Sequence, residues 1–414
     1  MKVLLCHAYY YNQRGGEDRS FEEERELLIA NGHEVIEYVR RNEELVGVSR
    51  LQAAATAVWN RSAARDVAKL IDLQRPDVLH ATNTFPLISP SVCDVAHRRG
   101  VAVVQALRNY RLLCANSYLM REGRPCEDCI GKAISWPAVI HRCYRDDTAA
   151  SAVVAAMQAA HRTLGVWRHR VDAFFTLTEF ARRKFIDAGM PAERIHVKYN
   201  SVSPDPGMGN GTGDYVALVG RLSQEKGIAT ALKAWRDDPT LPRLVIVGEG
   251  PLRRDVEMAA AADPRVEYRG VVSNVAAQEI IQGAIALLMP SLWYETFGRT
   301  IAEAFAAGVP VVASRLGAMA ELVEEGLNGE LFAAGHAQQL TNSLLRVVRA
   351  TPEQTKTMRN HARKAYERQF TPARNYARLI EIYEIARAAA ERRATKKSTP
   401  SSQRQSFENI APAT

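Results

Sequence analysis

The stretch Ser203-Pro-Asp-Pro-Gly-Met-Gly-Asn-Gly-Thr-Gly213 packs two prolines and four glycines into eleven residues. Proline removes backbone donors and glycine makes ordering expensive, so neither helix nor strand suits this composition. It reads as a linker over 204–213, and the pattern on either side decides the fold. Before it, short apolar runs at 2–8, 34–39, 77–82, 101–107, 173–178 and 196–200 alternate with amphipathic stretches such as 17–31, ended by Gly32, and 62–74, ended by Pro76. After it, apolar runs at 215–220, 243–247, 266–268, 285–289 and 310–313 alternate with helical patterns at 227–235, 252–262, 274–283 and 300–307. Strands that alternate with helices build parallel sheets covered on both faces. The expectation is an α/β protein of two doubly wound, Rossmann-like domains, 1–203 and 214–385, facing each other across a cleft. Ligands of such sheets bind beyond the carboxyl ends of the strands.

A chain of 414 residues, 47% hydrophobic and 24% charged, is the right size and composition for two such domains. Its opening, Met1-Lys-Val-Leu-Leu-Cys-His7, reads as a buried first strand and not as a signal peptide. No apolar stretch reaches the roughly 20 residues of a membrane span, the Ala-rich run 148–160 included. A cytoplasmic location is expected, with peripheral contact at the inner membrane face as an addition to it. The net charge is +8, and it is unevenly placed: residues 1–205 hold 28 basic and 24 acidic residues, and 388–414 hold five and two. A diffuse excess of this kind suits anionic substrates or a membrane surface and gives no case for nucleic acid. The stretches 161–170 and 181–184 mix basic and aromatic residues, and read either as a membrane-proximal face or as ordinary solvated helix. Residues 361–390 form a helix pair around Thr371-Pro372, and the basic, polar end 391–414 reads as a disordered tail.

Three short segments carry chemistry. Val219-Gly-Arg-Leu-Ser-Gln-Glu-Lys-Gly227 follows a strand, opens a helix and offers Arg221 and Lys226 five apart. A guanidinium fork and an ammonium point charge are suited to gripping a diphosphate, although a solvated basic loop has the same composition. Gly15 and Gly16 stand between the first strand and the first helix, where a backbone could approach a phosphate or simply turn. In Ser291-Leu-Trp-Tyr-Glu-Thr-Phe-Gly-Arg-Thr-Ile-Ala-Glu303, Glu295 falls in a strand-to-helix loop and Glu303 about one turn into the helix. The amides of Phe297, Gly298 and Arg299 are then free donors at the cleft. Either glutamate alone could merely complement the helix dipole. Their apolar surroundings argue for more.

Taken together, Gly220-Arg-Leu with Glu225-Lys-Gly227, Val247-Gly-Glu-Gly-Pro251, the Glu295-to-Glu303 segment, Gly308-Val-Pro-Val-Val-Ala313, Gly317-Ala-Met-Ala-Glu321 and Asn328-Gly-Glu-Leu-Phe332 resemble glycosyltransferase family 4 over roughly residues 1–385. These are the group 1 retaining glycosyltransferases of the GT-B fold. The resemblance implies that Glu295 contacts hydroxyls of a donor sugar and that Glu303 holds the nucleotide's ribose. It implies that Arg221 and Lys226 hold the diphosphate with help from the backbone of Phe297 and Gly298. The base would sit near Gly270 and Val271, and Gly15 and Gly16 would match the family's glycine-rich loop. The implied partners are a nucleotide-sugar donor, UDP- or GDP-linked, and a glycan or lipid-linked acceptor, with no cofactor required for catalysis. Two cations and helix-end amides can stabilise a departing nucleoside diphosphate without a metal. The sequence departs from the family at Arg108, where many members carry His. Arg108 reads either as a ligand for donor phosphate or an acidic acceptor, or as a structural residue. A catalytically silent sugar-nucleotide-binding assembly subunit and a sugar-nucleotide 2-epimerase stand as alternatives. Loss of Arg221, Lys226 or Glu295 would have favoured the silent subunit, and an epimerase needs an acid/base set of its own.

Four of the six cysteines crowd into a first-domain insertion, about 112–146, as Cys114-x11-Cys126-x2-Cys129-x13-Cys143. The Cys-x2-Cys step is a metal-knuckle spacing and four thiolates suit tetrahedral zinc. Structural zinc, reduced thiols packed in the insertion, and a redox or iron–sulfur role are the readings, with a closed four-ligand site structural and not catalytic. Cys6 and Cys93 read as core residues.

Overall fold

The structure, a computed structural model, describes residues 1–9 and 15–398. Its first sheet contains β1 (Lys2–Tyr9), β2 (Glu34–Arg41), β3 (Val78–Asn83) and β4 (Ala102–Leu107). A small antiparallel hairpin follows, β5 (Met120–Arg121) and β6 (Arg124–Pro125), and then β7 (Ala173–Thr176) and β8 (Ile195–Val197) complete the sheet in the order β2-β1-β3-β4-β7-β8. The second sheet contains β9 (Tyr215–Val219), β10 (Arg243–Val247), β11 (Val266–Tyr268), β12 (Ala286–Met289), β13 (Val311–Ser314) and β14 (Gly329–Phe332), ordered β11-β10-β9-β12-β13-β14. Pairing is parallel throughout both six-stranded sheets, for example Val3 with Val78 and Leu287 with both Ala217 and Val311. The central strands β3, β4, β12 and β13 are buried along their whole length. Helices cover both faces, which is why these strands read as continuous apolar runs and not as alternating ones. Cys6 and Cys93 lie in this core, as expected.

The strand order reverses between β1 and β3 in the first sheet and between β9 and β12 in the second. Loops leaving the carboxyl ends of these neighbouring strands diverge to opposite faces and open a crevice. One apolar cluster runs from Val3, Phe175 and Val202 of the first domain to Leu287, Phe305 and Phe370, so the two halves are not independent. Tyr199, Phe297 and Phe370 pack edge-on or tilted at the junction, with ring centroids 5.4–6.3 Å apart.

Two expectations about the chain's end are corrected. The second domain does not run on to 385, because the helix Pro372–Ser398 crosses back onto the first sheet. Asn375 Nδ2 donates to the Tyr199 carbonyl at 2.6 Å, and Arg378 Nε donates to that of Val197 at 2.9 Å. Arg393 pairs with Asp172. Nor is the chain unstructured from 391, since 391–398 continue that helix; the remainder of the expected tail, 399–414, lies outside the described residues.

Beneath the returning helix lies a buried ionic network. Glu24 takes Arg108 Nη2 at 2.6 Å and Lys198 Nζ on one carboxylate oxygen, and Arg108 Nη1 donates to Asn200 Oδ1 at 2.9 Å. Burial opposes the charge on Glu24, but Arg108 and Lys198 outweigh it and hold the carboxyl well below the usual range. Arg108 therefore neutralises a buried partner and is 5% exposed, which favours its structural reading over phosphate binding. His80 lies alongside, its Nδ1 2.8 Å from the Tyr383 hydroxyl. Burial, reinforced by Arg108 and Lys198 against the pull of Glu24, lowers its pKa from 6.5 to about 4.

Two outcomes follow from this network. Glu24 pairs with both buried cations, so removing it strands two charges, and Glu24→Leu should cost about 3–5 kcal/mol of stability; a variant of unchanged Tm would contradict the network's structural role. Between pH 6.5 and about 4 the unfolded chain takes a proton that native His80 refuses, so stability falls as pH falls through that window. His80→Gln should make the decline in unfolding free energy from pH 6.5 to 4.5 shallower, by up to about 1.4 kcal/mol per pH unit at full effect. Parallel curves for wild type and variant would contradict it.

Candidate active site

The loop after β9 carries Arg221 and Lys226, and the loop after β12 carries Ser291 and Glu295. Because β9 and β12 are neighbours at the reversal point, the two loops leave side by side. Their backbones touch. Leu292 N donates to the Glu225 carbonyl at 2.8 Å, and a Cβ at Gly227 (φ +70°) would stand 1.8 Å from the Pro290 oxygen, so only glycine allows the approach. The first loop is braced from its other side by 248–252: Leu222 N donates to Glu249 O and Leu252 N to Leu222 O, both at 2.9 Å.

On this frame Lys226 Nζ meets Glu295 Oε1 at 2.6 Å, and Ser291 Oγ donates to the same oxygen at 2.8 Å. Glu295 is 5% exposed, so its charge is held by these two partners and little water. The Lys226 ammonium also stands 5.5 Å over the Trp293 ring. Arg221 is exposed at the loop's start, where a ligand can reach its guanidinium.

Gly298 takes a left-handed turn (φ +82°) and begins the helix Arg299–Ala306, with Phe297 buried just before it. Amides of a helix's first turn lack acceptors in the regular ladder and lie at the positive end of its dipole, and here Ile301 N turns back onto Gly298 O at 2.9 Å. Glu303 falls in the helix's second turn. Its Oε1 lies 3.3 Å from Arg299 Nε and 3.2 Å from Nη1 of Arg19, a residue of the first domain's helix Gly16–Ala30. Glu23 of that helix binds both arginines, giving two cations and two carboxylates bridging the domains.

Gly15 and Gly16 sit at the start of helix Gly16–Ala30, beyond the carboxyl end of β1 and at the first sheet's own reversal point. Gly15 N donates to Asp18 Oδ2 at 3.0 Å, and the other oxygen of Asp18 is 2.9 Å from His7 Nε2. The structure thus brings Lys226 to Glu295, and Glu303 to the helix that Gly15 and Gly16 open. Gly270 and Val271 stand apart from these contacts, at the end of edge strand β11, with Val271 71% exposed.

Sequence reasoning missed three groups. Ser291 stands four residues before Glu295, a spacing that could have suggested the hydrogen bond. Arg19 meets Glu303 across 284 positions, with no local signal. Glu321 accepts from the amides of Glu179 and Phe180 at 2.9 and 2.6 Å, so a carboxylate of the second domain caps a helix, Glu179–Asp187, of the first.

The aromatic and basic residues of 161–170 are only partly at the surface. Trp167 and His161 are buried, with His161 Nε2 2.7 Å from the Val58 carbonyl, and Arg162 is spent on the carbonyls of Leu112, Lys132 and Ala133. Among the described residues no helix is long and apolar enough to cross a membrane.

Comparison with known proteins places the chain. Residues 15–201 match a profile described as a glycosyl transferase 4-like domain, and residues 213–350 match one described as glycosyl transferases group 1. An uncharacterized 42.6 kDa protein in the cps region of Klebsiella pneumoniae is 23% identical over 354 residues, 78% of this chain and 87% of that one. The amylovoran biosynthesis glycosyltransferase AmsK of Erwinia amylovora is 28% identical over 229 residues, 51% of this chain and 56% of that one, so the chain spans about half of that relative. Among solved structures, Anabaena Alr3699/HepE in complex with UDP superposes with a TM-score of 0.63 at 18% identity, covering 92% of this chain and 99% of that one; the same protein has been solved with UDP-glucose. Two Rossmann-like domains facing each other, each matched in order by a glycosyltransferase profile, make this chain a member of the group 1 glycosyltransferases, family 4, with the GT-B fold.

Proposed function

We propose that the chain is a retaining glycosyltransferase that moves a sugar from a nucleoside diphosphate to a glycan or lipid-linked glycan, in polysaccharide or glycoconjugate biosynthesis. The observation that carries this is the Lys226–Glu295 pair at the second sheet's reversal point, next to the start of helix Arg299–Ala306, whose Gly298 cap has no side-chain acceptor. The UDP and UDP-glucose complexes of Anabaena HepE support a nucleotide-sugar donor, with UDP ahead of GDP as its carrier. The cps-region and amylovoran relatives support the pathway class.

In this reading the second domain binds the donor and the first the acceptor. Arg221 and Lys226 hold the diphosphate, and the helix start with the backbone of Phe297 and Gly298 faces the same charge. Negative charge grows on the bridging oxygen as the glycosidic bond breaks, and preorganised cations lower that barrier without moving. Glu295, pinned by Lys226 and Ser291, contacts the sugar hydroxyls. Glu303 takes the ribose and gives up its bond to Arg19 when it does. Gly270 and Val271 flank the base, and Gly15 and Gly16 let the first domain approach the diphosphate. Both carboxylates serve in binding, so neither is the nucleophile of a two-carboxylate hydrolase. Attack then comes from the face the leaving group vacates, with a departing phosphate oxygen taking the acceptor's proton.

Lys226→Ala and Glu295→Ala should each lower turnover by several tens-fold or more while leaving the fold intact, the usual order for loss of one preorganised charge. Rates within a few-fold of wild type in either variant would overturn the assignment. Failure of the wild type to hydrolyse or transfer from any nucleotide sugar would instead support a silent binding subunit.

A further inference from the structure

Nothing in the transfer reaction uses the four-cysteine insertion, yet it lies against the donor loops. Cys114, Cys126, Cys129 and Cys143 all line one small cavity, and none of them is in a disulfide. Cys114 and Cys129 are buried, and the other two are partly so. Arg111 lies close enough to act on Cys114, Arg121 on Cys126 and Cys143, and Arg162 on Cys129. A tetrathiolate metal centre carries two net negative charges, and cations around it offset them. Four thiols converge here with three guanidiniums around them, in a segment with little other core.

The same segment reaches the donor site at three points. Glu127, inside the Cys-x2-Cys step, accepts the Tyr294 hydroxyl and pairs with Lys184 at 2.7 Å. The Tyr118 ring packs edge-on against Trp293, with centroids 5.0 Å apart, and Trp293 underlies Lys226. At the tip of the β5–β6 hairpin, a Cβ on Gly123 would stand 3.6 Å from Gln224 Nε2, in the loop between Arg221 and Lys226. Tyr294 is the immediate neighbour of Glu295.

We propose that Cys114, Cys126, Cys129 and Cys143 bind one structural Zn²⁺, and that the metal holds residues 118–129 as a strap against loops 221–226 and 293–295. The positional part of this inference rests on the proposed donor site; the metal part does not. As the thiols stand, no group of three or more His, Cys, Asp or Glu among the described residues forms a ready metal centre. Cys114 Sγ is 2.9 Å from Asn116 Oδ1, and Cys126 donates to the Asp128 carboxylate. Loading requires both thiols to leave these oxygens and turn inward. Each coordinating thiol gives up its proton as its sulfur binds the cation, up to four protons per zinc, so no redox partner is needed.

The test is elemental analysis of full-length protein purified without chelators or added metal, followed by stripping and titration with Co²⁺. The expected result is about one zinc per chain, a sulfur-to-cobalt charge-transfer band in the near ultraviolet, and protection of the four thiols from alkylation in the native protein. Cys129→Ser should lose the zinc and lower Tm; should that variant fail to fold, the cobalt titration of stripped wild type still decides. Metal-free protein with no cobalt band, or mass spectrometry finding the four cysteines in disulfides, would overturn the metal site. Amide exchange then addresses the strap: stripping should speed exchange at 292–297 several-fold or more. Unchanged exchange there would overturn the positional role whether or not any sugar is transferred.

Discussion

The arrangement depends on one ion pair placed by topology. Lys226 and Glu295 are 69 positions apart, yet β9 and β12 are hydrogen-bonded neighbours where the strand order reverses. The loops after them must therefore leave side by side, and a lysine on one can reach a carboxylate on the other. A nearly buried carboxylate is costly unless paired, and here Lys226 and Ser291 supply the pairing. Glycine at 227 makes it geometrically possible, because any side chain there would strike the Pro290 carbonyl.

The domain interface is built from the same materials. Glu303 and Arg299 face Arg19 and Glu23, Glu321 caps a helix of the opposite domain, and the returning helix Pro372–Ser398 ties the chain's end to the first sheet. Several of these contacts share residues with the proposed donor site. On the proposed reading, nucleotide binding would compete with an interdomain contact at Glu303: the carboxylate that would take a ribose is the one that now holds Arg19. A nucleotide would exchange one polar partner for another and would not have to open a dry core.

Much of this was legible in the chain itself. Strands buried on both faces announce themselves as apolar runs, and the Pro/Gly segment before Tyr215 separates two such series. The apolar run 285–289 and the helical pattern at 300–307 put Glu295 in the loop between them and Glu303 about one turn into the helix. What stayed hidden was long-range. An amphipathic pattern over 372–398 tells that a helix buries a face, but not which sheet receives it, so the last helix was allotted to the wrong domain. Arg108 and Glu24 are 84 positions apart, and nothing local marks them as a buried pair; the His80–Tyr383 contact spans 303. In the basic stretch 161–170, periodicity alone did not tell that Trp167 and His161 turn inward. Nothing in the sequence marked Arg111, Arg121 and Arg162 as the cations that surround a cluster of thiols.

The central claim is that the crevice between β9 and β12 binds a nucleoside diphosphate. A crystal structure with UDP, or with GDP should only GDP raise the Tm, tests it most directly. The account predicts diphosphate oxygens within hydrogen-bond distance of Arg221, Lys226 and the first amides of helix Arg299–Ala306, with the ribose on Glu303 and Arg19 displaced from it. Nucleotide found elsewhere, with the Arg19–Glu303 pair intact and Lys226 making no contact to phosphate, would contradict it.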